Sequence, residues 1–175
     1  MNKVFALILI VISFPFLFII GILIVLFEQK TPLFYQNRFG KNKSAFQLIK
    51  LRTMKNDKVT LIGSILRKTG IDEIPQLINI LKGDMNFIGP RPLTQNDVTR
   101  LDWDSNHYTI RWEIKPGLTG LAQLSPVCHK KISFFYDKYY VNNQSFILDF
   151  KIFVLSTFVL FLGKNRVKKI ISNRK

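Results

Sequence analysis

Ile71-Asp72-Glu73-Ile74-Pro75-Gln76-Leu77-Ile78-Asn79-Ile80-Leu81-Lys82-Gly83-Asp84-Met85-Asn86-Phe87-Ile88-Gly89-Pro90-Arg91-Pro92 is the stretch that organises the rest of the chain. Ile74, Leu77, Ile78 and Leu81 recur at helical spacing and form one apolar face. Pro75 falls in the first turn, where its missing N–H is tolerated, and Gly83 stands where a C-terminal cap belongs. The spacing therefore predicts a short helix from about Glu73 to Lys82 with Asp72 and Glu73 at its start. Unpaired N–H groups and the positive end of the helix dipole favour anionic side chains and ligands there.

Adjacent carboxylates repel, and a helix dipole or a hard cation such as Mg²⁺ offsets that repulsion. The pair alone supports two readings. Asp72 is an ordinary N-cap with Glu73 in the first turn, or the two acids prepare a site for phosphate chemistry. Gly89-Pro90-Arg91-Pro92 adds weight to the second. Each proline fixes its own φ and restricts the residue before it. A guanidinium on such a backbone suits bidentate contact with phosphate oxygens.

At 175 residues the chain suffices for one modest domain. Its formal charge of +15 calls for an anionic partner: a membrane surface, a nucleic acid or a phosphorylated substrate. The aromatic residues are dominated by 16 Phe, which suits lipid contact better than base stacking. One cysteine, Cys128, excludes an intrachain disulfide and fits a reducing compartment.

Working outward, Val4–Phe27 carries no charge and is long enough to cross a bilayer, which takes about 20 apolar residues. A cleaved signal peptide is disfavoured by the short Met1-Asn2-Lys3 start and the lack of a small-residue cleavage site. Lysine and arginine follow the run, so the body is expected on the cytoplasmic side. Pro15 divides the run and leaves two alternatives: a kinked spanning helix, or a re-entrant helix that enters and leaves by one face.

Leu33–Met54 predicts a strand pair with its turn at Gly40–Lys43. Leu61–Lys68 predicts an amphipathic helix with Leu61, Ile62, Ile65 and Leu66 on one side, either packed on the core, which suits so short a segment better, or lying at the membrane surface. Arg67, just upstream of the acids, is a candidate phosphate ligand. Thr94–Glu113 is polar and reads as a surface helix and loop; its Asp97, Asp102, Asp104 and His107 match no metal-ligand spacing. Lys115–Gly120 is a turn-rich loop whose glycines allow close backbone approach to a ligand. Adjacent Cys128-His129 is weak as a nucleophile–base pair, having no third orienting group. Tyr139 and Tyr140 are amphipathic rings suited to a membrane interface or a site wall. Ile152–Leu162 is too short to span a bilayer and reads as a buried or surface-lying helix, and the basic tail from Gly163 suits anionic headgroups.

Asp72-Glu73-x-Pro75-Gln76-Leu77 and Leu81-Lys82-Gly83-Asp84-Met85, continuing through Gly89-Pro90-Arg91-Pro92, closely resemble the hallmark block of the bacterial sugar transferases, the small monotopic phosphoglycosyl transferases. Gln36-x-Arg38, Lys50-x-Arg52-Thr53-Met54, Asp137-x-Tyr139-Tyr140-Val141 and Ser145-x-x-Leu148-Asp149 match further blocks of that family, and Lys115–Gln123 resembles another, with Leu121 in place of that block's tryptophan. The resemblance runs over nearly the whole chain and implies a complete small enzyme.

It implies an α+β, mainly helical fold: a membrane-embedded helix over 1–30, re-entrant in the family, and a catalytic domain over 31–175 with amphipathic surface helices. The implied place is the cytoplasmic face of the bacterial inner membrane. The implied reaction carries a sugar 1-phosphate from a UDP-sugar to polyprenyl phosphate and releases UMP. Asp72 becomes the nucleophile that forms an aspartyl phosphosugar, and Glu73 the Mg²⁺ ligand. Arg91 and Arg67 neutralise phosphate charge, while Pro90, Pro92, Gly117, Thr119, Gln123, Tyr139 and Tyr140 line the site. The implied partners are the two substrates and membrane lipid, not nucleic acid. The competing class, a basic membrane-anchored binding protein without chemistry, accounts for the charge and the apolar run but leaves Asp72-Glu73 and Pro90-Arg91-Pro92 without a purpose.

Overall fold

The computed structural model describes residues 2–125 and 129–162. Cys128 and the basic tail from Gly163 lie outside the described residues. Among the described residues the architecture is mainly helical, with three two-stranded sheets. The chain divides into two compact units, Met1–Asn37 with Gln47–Asp84, and Arg38–Phe46 with Met85–Lys175.

In the first unit, helix α1 (Asn2–Glu28) runs unbroken through Pro15. It is long and apolar enough to cross a membrane. Only Ala6, Ile20, Ile24 and Glu28 of its residues are buried, and exposed Val, Ile, Leu and Phe occupy most of its remaining surface. α1 does not stand apart from the body. It packs against α3 (Leu77–Lys82), and Ile20 and Ile24 share a core with Leu51 and Leu66, flanked by Leu17, Leu33, Ile62 and Ile71.

Strands β1 (Leu33–Phe39) and β2 (Ala45–Leu51) pair through a turn at Lys41–Lys43, as the alternation predicts. A second small hairpin joins β3 (Met54–Lys55) to β4 (Lys58–Val59). Its two turn residues, Asn56 and Asp57, both have positive φ, the signature of the tight turn whose twist matches a hairpin.

Helix α2 (Leu61–Thr69) begins at Thr60, whose hydroxyl accepts from the Gly63 N–H and donates to the buried Glu28 carboxylate at the end of α1. The expected apolar face of α2 is split. Leu66 and Ile62 join the core, whereas Leu61 and Ile65 point outward. Gly63 is where α2 meets Thr53, and any Cβ there would run into the Thr53 carbonyl.

In the second unit, β5 (Asn86–Ile88) pairs in parallel with β6 (Gly117–Thr119). Within the expected turn-rich loop Lys115–Gly120, Gly117–Thr119 is thus a strand. α4 (Gln95–Leu101) opens with a capping box between Thr94 and Asp97. The region read from sequence as polar surface instead supplies a core: Trp103 and Trp112 are buried with Leu93, Val98 and Phe134. A 3-10 helix over Asn106–Trp112 brings Trp112 inward.

Short α5 (Leu121–Leu124) is followed by α6 (Lys130–Asn142), whose N-cap is His129, and by α7 (Phe146–Leu162), which starts six residues before the apolar run that announced it. Ile88, Tyr140 and Ile152 form a further core cluster of this unit. Phe146, Ile147, Phe150, Phe153 and Phe158 of α7 are exposed.

Candidate active site

Asp72 and Glu73 do not begin an α-helix. They lie on a 3-10 segment, Ile71–Gln76, and α3 starts only at Leu77. Pro75, which has no N–H to donate, lies inside this segment. The Glu73 N–H to Gly70 carbonyl bond of 3.1 Å has the tighter i→i+3 spacing. The acids are therefore separated from the dipole of a six-residue α-helix, and charge compensation has to come from side chains.

Lys50, which sequence reasoning placed in a motif but not in the site, supplies it. Its Nζ lies 2.6 Å from Glu73 Oε1. Arg67 is the second cation: its field, with that of Lys50, acts on Asp72. Arg67 is itself fixed, since its Nε donates to the Thr53 hydroxyl at 2.9 Å. Asp72 is buried, and that burial pushes its carboxyl above the usual aspartate range; the Glu73 charge pushes the same way, while Lys50, Arg67 and a backbone hydrogen bond oppose both. Four charged groups meet here in one unit: a buried carboxyl, a half-buried carboxylate and two cations.

Asn79 ties this arrangement to the sheet. Wholly buried in α3, its side-chain amide accepts from the Ile49 N–H at 3.1 Å and donates to the Gln47 carbonyl at 2.7 Å. It takes the place of a neighbouring strand on that edge of β2, one residue from Lys50. The apolar face of α3 is correspondingly shifted from the expected one: Leu77, Asn79 and Ile80 point inward, and Ile74, Ile78 and Leu81 are half-buried.

The second unit holds Pro90, Arg91 and Pro92. Both prolines are buried and Arg91 is exposed. The neighbouring glycines have a backbone reason. A Cβ on Gly117 would strike the Gly89 N–H, and one on Gly120 the Gly89 carbonyl, so the close approach is of chain to chain. Thr119 shares a hydroxyl–hydroxyl hydrogen bond of 2.7 Å with Ser156 of α7. Gln123 sits half-buried on α5. The tyrosines part company: Tyr139 is exposed, whereas Tyr140 is buried and donates to Asp149 at 2.7 Å. Burial, and then the Asp149 carboxylate, push the Tyr140 phenol well up. Asp97 caps α4 and pairs with Arg38 and Arg100, and Asp104 pairs with Lys43, which gives these acids structural partners.

Among the described residues no group of three or more acidic, histidine or cysteine side chains is arranged as a metal cage. Mg²⁺, however, is commonly held by one or two carboxylates together with substrate phosphates and water. Glu73 fits that open mode, with the qualification that a cation there shares its carboxylate with Lys50 or displaces the ammonium.

The family model for bacterial sugar transferases matches residues 1–163. The chain is 34% identical over 154 residues to a UDP-N-acetylgalactosamine-undecaprenyl-phosphate N-acetylgalactosaminephosphotransferase of Aeromonas hydrophila, an alignment covering 77% of this chain and 36% of that protein. It is 39% identical over 124 residues to a UDP-glucose:undecaprenyl-phosphate glucose-1-phosphate transferase of Caulobacter vibrioides, covering 63% of this chain and 46% of the relative. It is 37% identical over 151 residues to an uncharacterized sugar transferase of Bacillus subtilis, covering 77% of this chain and 73% of the relative. The chain thus spans less than half the length of the first two relatives. It belongs to the bacterial sugar transferase family.

Proposed function

We propose that this chain transfers a sugar 1-phosphate from a UDP-sugar to polyprenyl phosphate. The observation that carries the reading is the buried Asp72 carboxyl, flanked by Glu73 and by the two cations Lys50 and Arg67. A carboxylate is a weak nucleophile, and a diphosphate repels it; fixed positive charge beside it addresses that repulsion directly. The relatives' names differ in the sugar, so the donor is assigned only as a UDP-sugar.

In the proposed route an Asp72 oxygen attacks the β-phosphorus of the donor. The bond from that phosphorus to the bridging oxygen breaks, and UMP leaves with the bond's electron pair. The product is an aspartyl phosphosugar. An oxygen of polyprenyl phosphate then attacks the same phosphorus, expels the Asp72 carboxylate and yields the polyprenyl-diphosphate-linked sugar. Lys50 and Arg67 balance the charge around the attacking carboxylate, and Arg91 is assigned to phosphate oxygens on the chemistry of its guanidinium. Glu73 is the proposed holder of Mg²⁺, which when bound would neutralise phosphate charge. We place α1 in the bacterial inner membrane with the rest of the chain on its cytoplasmic face. There the lipid acceptor presents its phosphate without leaving the bilayer.

The test is UMP release from a panel of UDP-sugars with undecaprenyl phosphate and Mg²⁺, by wild type and Asp72→Asn. A donor labelled in the sugar phosphate should leave label on the wild-type protein when lipid is withheld, and none on Asp72→Asn. Release that is as fast in the folded variant would refute the covalent route. Binding of anionic lipid without UMP release from any donor would favour the binding-protein class.

A further inference from the structure

Four consecutive carbonyls, those of Pro90, Arg91, Pro92 and Leu93, each accept a hydrogen bond. The donors are the Gly117 N–H at 2.9 Å, Arg111 Nη2 at 2.9 Å, Arg38 Nη1 at 3.1 Å and the Phe39 N–H at 2.8 Å. Two are backbone groups, and the two nearest the exposed Arg91 on its C-terminal side are guanidinium groups.

Arg111 is an unusual choice for that duty. Its side chain is only 2% exposed. Its guanidinium carbon lies 4.8 Å from the Trp103 ring centre and 4.5 Å from that of Trp112, and its Nε donates to Asp137 Oδ2 at 3.1 Å. Burial pushes the Arg111 guanidinium down and the Asp137 carboxyl up, each opposed by the partner's charge. A buried ion pair gains little over well-packed apolar residues, because desolvation consumes the Coulombic attraction. Core stability therefore does not account for Arg111. What the ion pair and the two indoles accomplish is to hold one Nη2 rigidly on the Arg91 carbonyl.

That contact acts on one of the backbone freedoms left at Arg91. Pro90 fixes only its own φ, and Pro92 confines Arg91 to the extended region without selecting a value of ψ. The Arg91 carbonyl belongs to the peptide plane joining Arg91 to Pro92, so pinning its oxygen sets ψ of Arg91. Arg38, on the next carbonyl, fixes the following plane and is oriented in turn by Asp97 at 3.2 Å.

We propose that Arg111, seconded by Arg38, is a positioning residue that aims the Arg91 guanidinium at the phosphate oxygens it binds, an inference that rests on the phosphate reading of Arg91 given above. A displacement of about 1 Å in a catalytic group costs about 10²-fold in rate, so a lever of this kind is worth a buried charge.

A double-mutant cycle tests it: wild type, Arg111→Lys, Arg91→Ala and the double variant, compared in kcat/KM for UMP release and in thermal midpoint. Lysine keeps the charge beside Asp137 but lacks the fork that reaches Asp137 and the Arg91 carbonyl together. The expected result is a loss of about tenfold or more for Arg111→Lys, mostly in kcat, and its disappearance in the Arg91→Ala background to within about twofold. Losses that multiply would mean that Arg111 acts independently of Arg91, and would overturn the inference while leaving the phosphate reading intact. So would an unchanged Arg111→Lys. An Arg91→Ala variant as active as wild type would overturn the phosphate reading and this inference with it. Should Arg111→Lys fail to fold, Arg38→Gln, which frees the Pro92 carbonyl, enters the same cycle with the same expected non-additivity and the same overturning result.

Discussion

Lys50 Nζ lies 2.6 Å from Glu73 Oε1, although 23 residues separate them in sequence. Lys50 on β2 and Glu73 on the 3-10 segment before α3 meet because Asn79 of α3 binds the edge of β2 on both sides of Leu48. Lys50→Met should therefore lower UMP release by about 10²-fold, the order found on removing one preorganised charge partner from an active site. It should also raise apparent Mg²⁺ affinity, since Glu73 no longer shares its carboxylate. Metal titrations of the two proteins check the second effect, and an unchanged metal dependence would argue against Glu73 as the ligand.

Asp72→Asn should abolish transfer and, at neutral pH, raise the thermal midpoint. Asp72 has its pKa raised by burial, so the folded state holds the proton more tightly than the unfolded chain. Its contribution to stability is complete below the unfolded value, about 3.9, and is lost as pH rises through the folded one. The advantage of the Asn variant should accordingly shrink toward about pH 4 and below. Differential scanning of both proteins across pH reads this out.

Asp97 should behave in the opposite sense. Burial raises its pKa, yet the Thr94 hydroxyl and N–H, then Arg38 and Arg100, more than offset this and hold the carboxyl below its ordinary range. Its stabilisation is present above the unfolded value and is lost as pH falls through the folded one. Asp97→Asn should cost about 1 kcal/mol at neutral pH, as weakening a cap does, with the difference vanishing in acid.

Gly63→Ala should destabilise by about 1–3 kcal/mol, the range for forcing a methyl into a filled space. The added Cβ collides with the Thr53 carbonyl, and the Thr53 hydroxyl anchors Arg67. Transfer should fall as well, which separates this site from a neutral packing change elsewhere.

Tyr140→Phe removes the donor to Asp149 from a core that also contains Ile88 and Ile152. An acceptor left without its partner should cost about 1–2 kcal/mol in chemical denaturation, with the donor sugar preference unchanged.

The features legible in the sequence are those that short stretches encode. The uncharged run of α1, the alternation of β1 and β2, the glycine after α3 and the Asp72–Pro92 block each carry their meaning within about 25 residues. The 3-10 geometry of Ile71–Gln76 is not among them. Pro75 is compatible with a first helical turn, and the apolar spacing of Ile74, Leu77, Ile78 and Leu81 points to a continuous helix, so nothing in the stretch marks the change of geometry.

Polar residues that pack inside leave no such local mark. Thr94–Glu113 carries enough charge to pass for surface, yet Trp103 and Trp112 are buried there in an apolar cluster, and Arg111 is buried with them, paired to Asp137, 26 residues further along. Asn79 sat between isoleucines and drew no attention, although it is wholly buried and binds three residues.

The family, the acid pair and the proline-locked arginine are thus readable from the residues alone, since they depend on side-chain identity and on φ restrictions that act within one or two residues. That Lys50 neutralises Glu73, that Thr53 fixes Arg67 and that Arg111 holds the backbone of Arg91 emerges from the folded chain. Each is a charged or polar contact between distant segments, and a charge reveals its partner only when burial removes the water that would otherwise serve it.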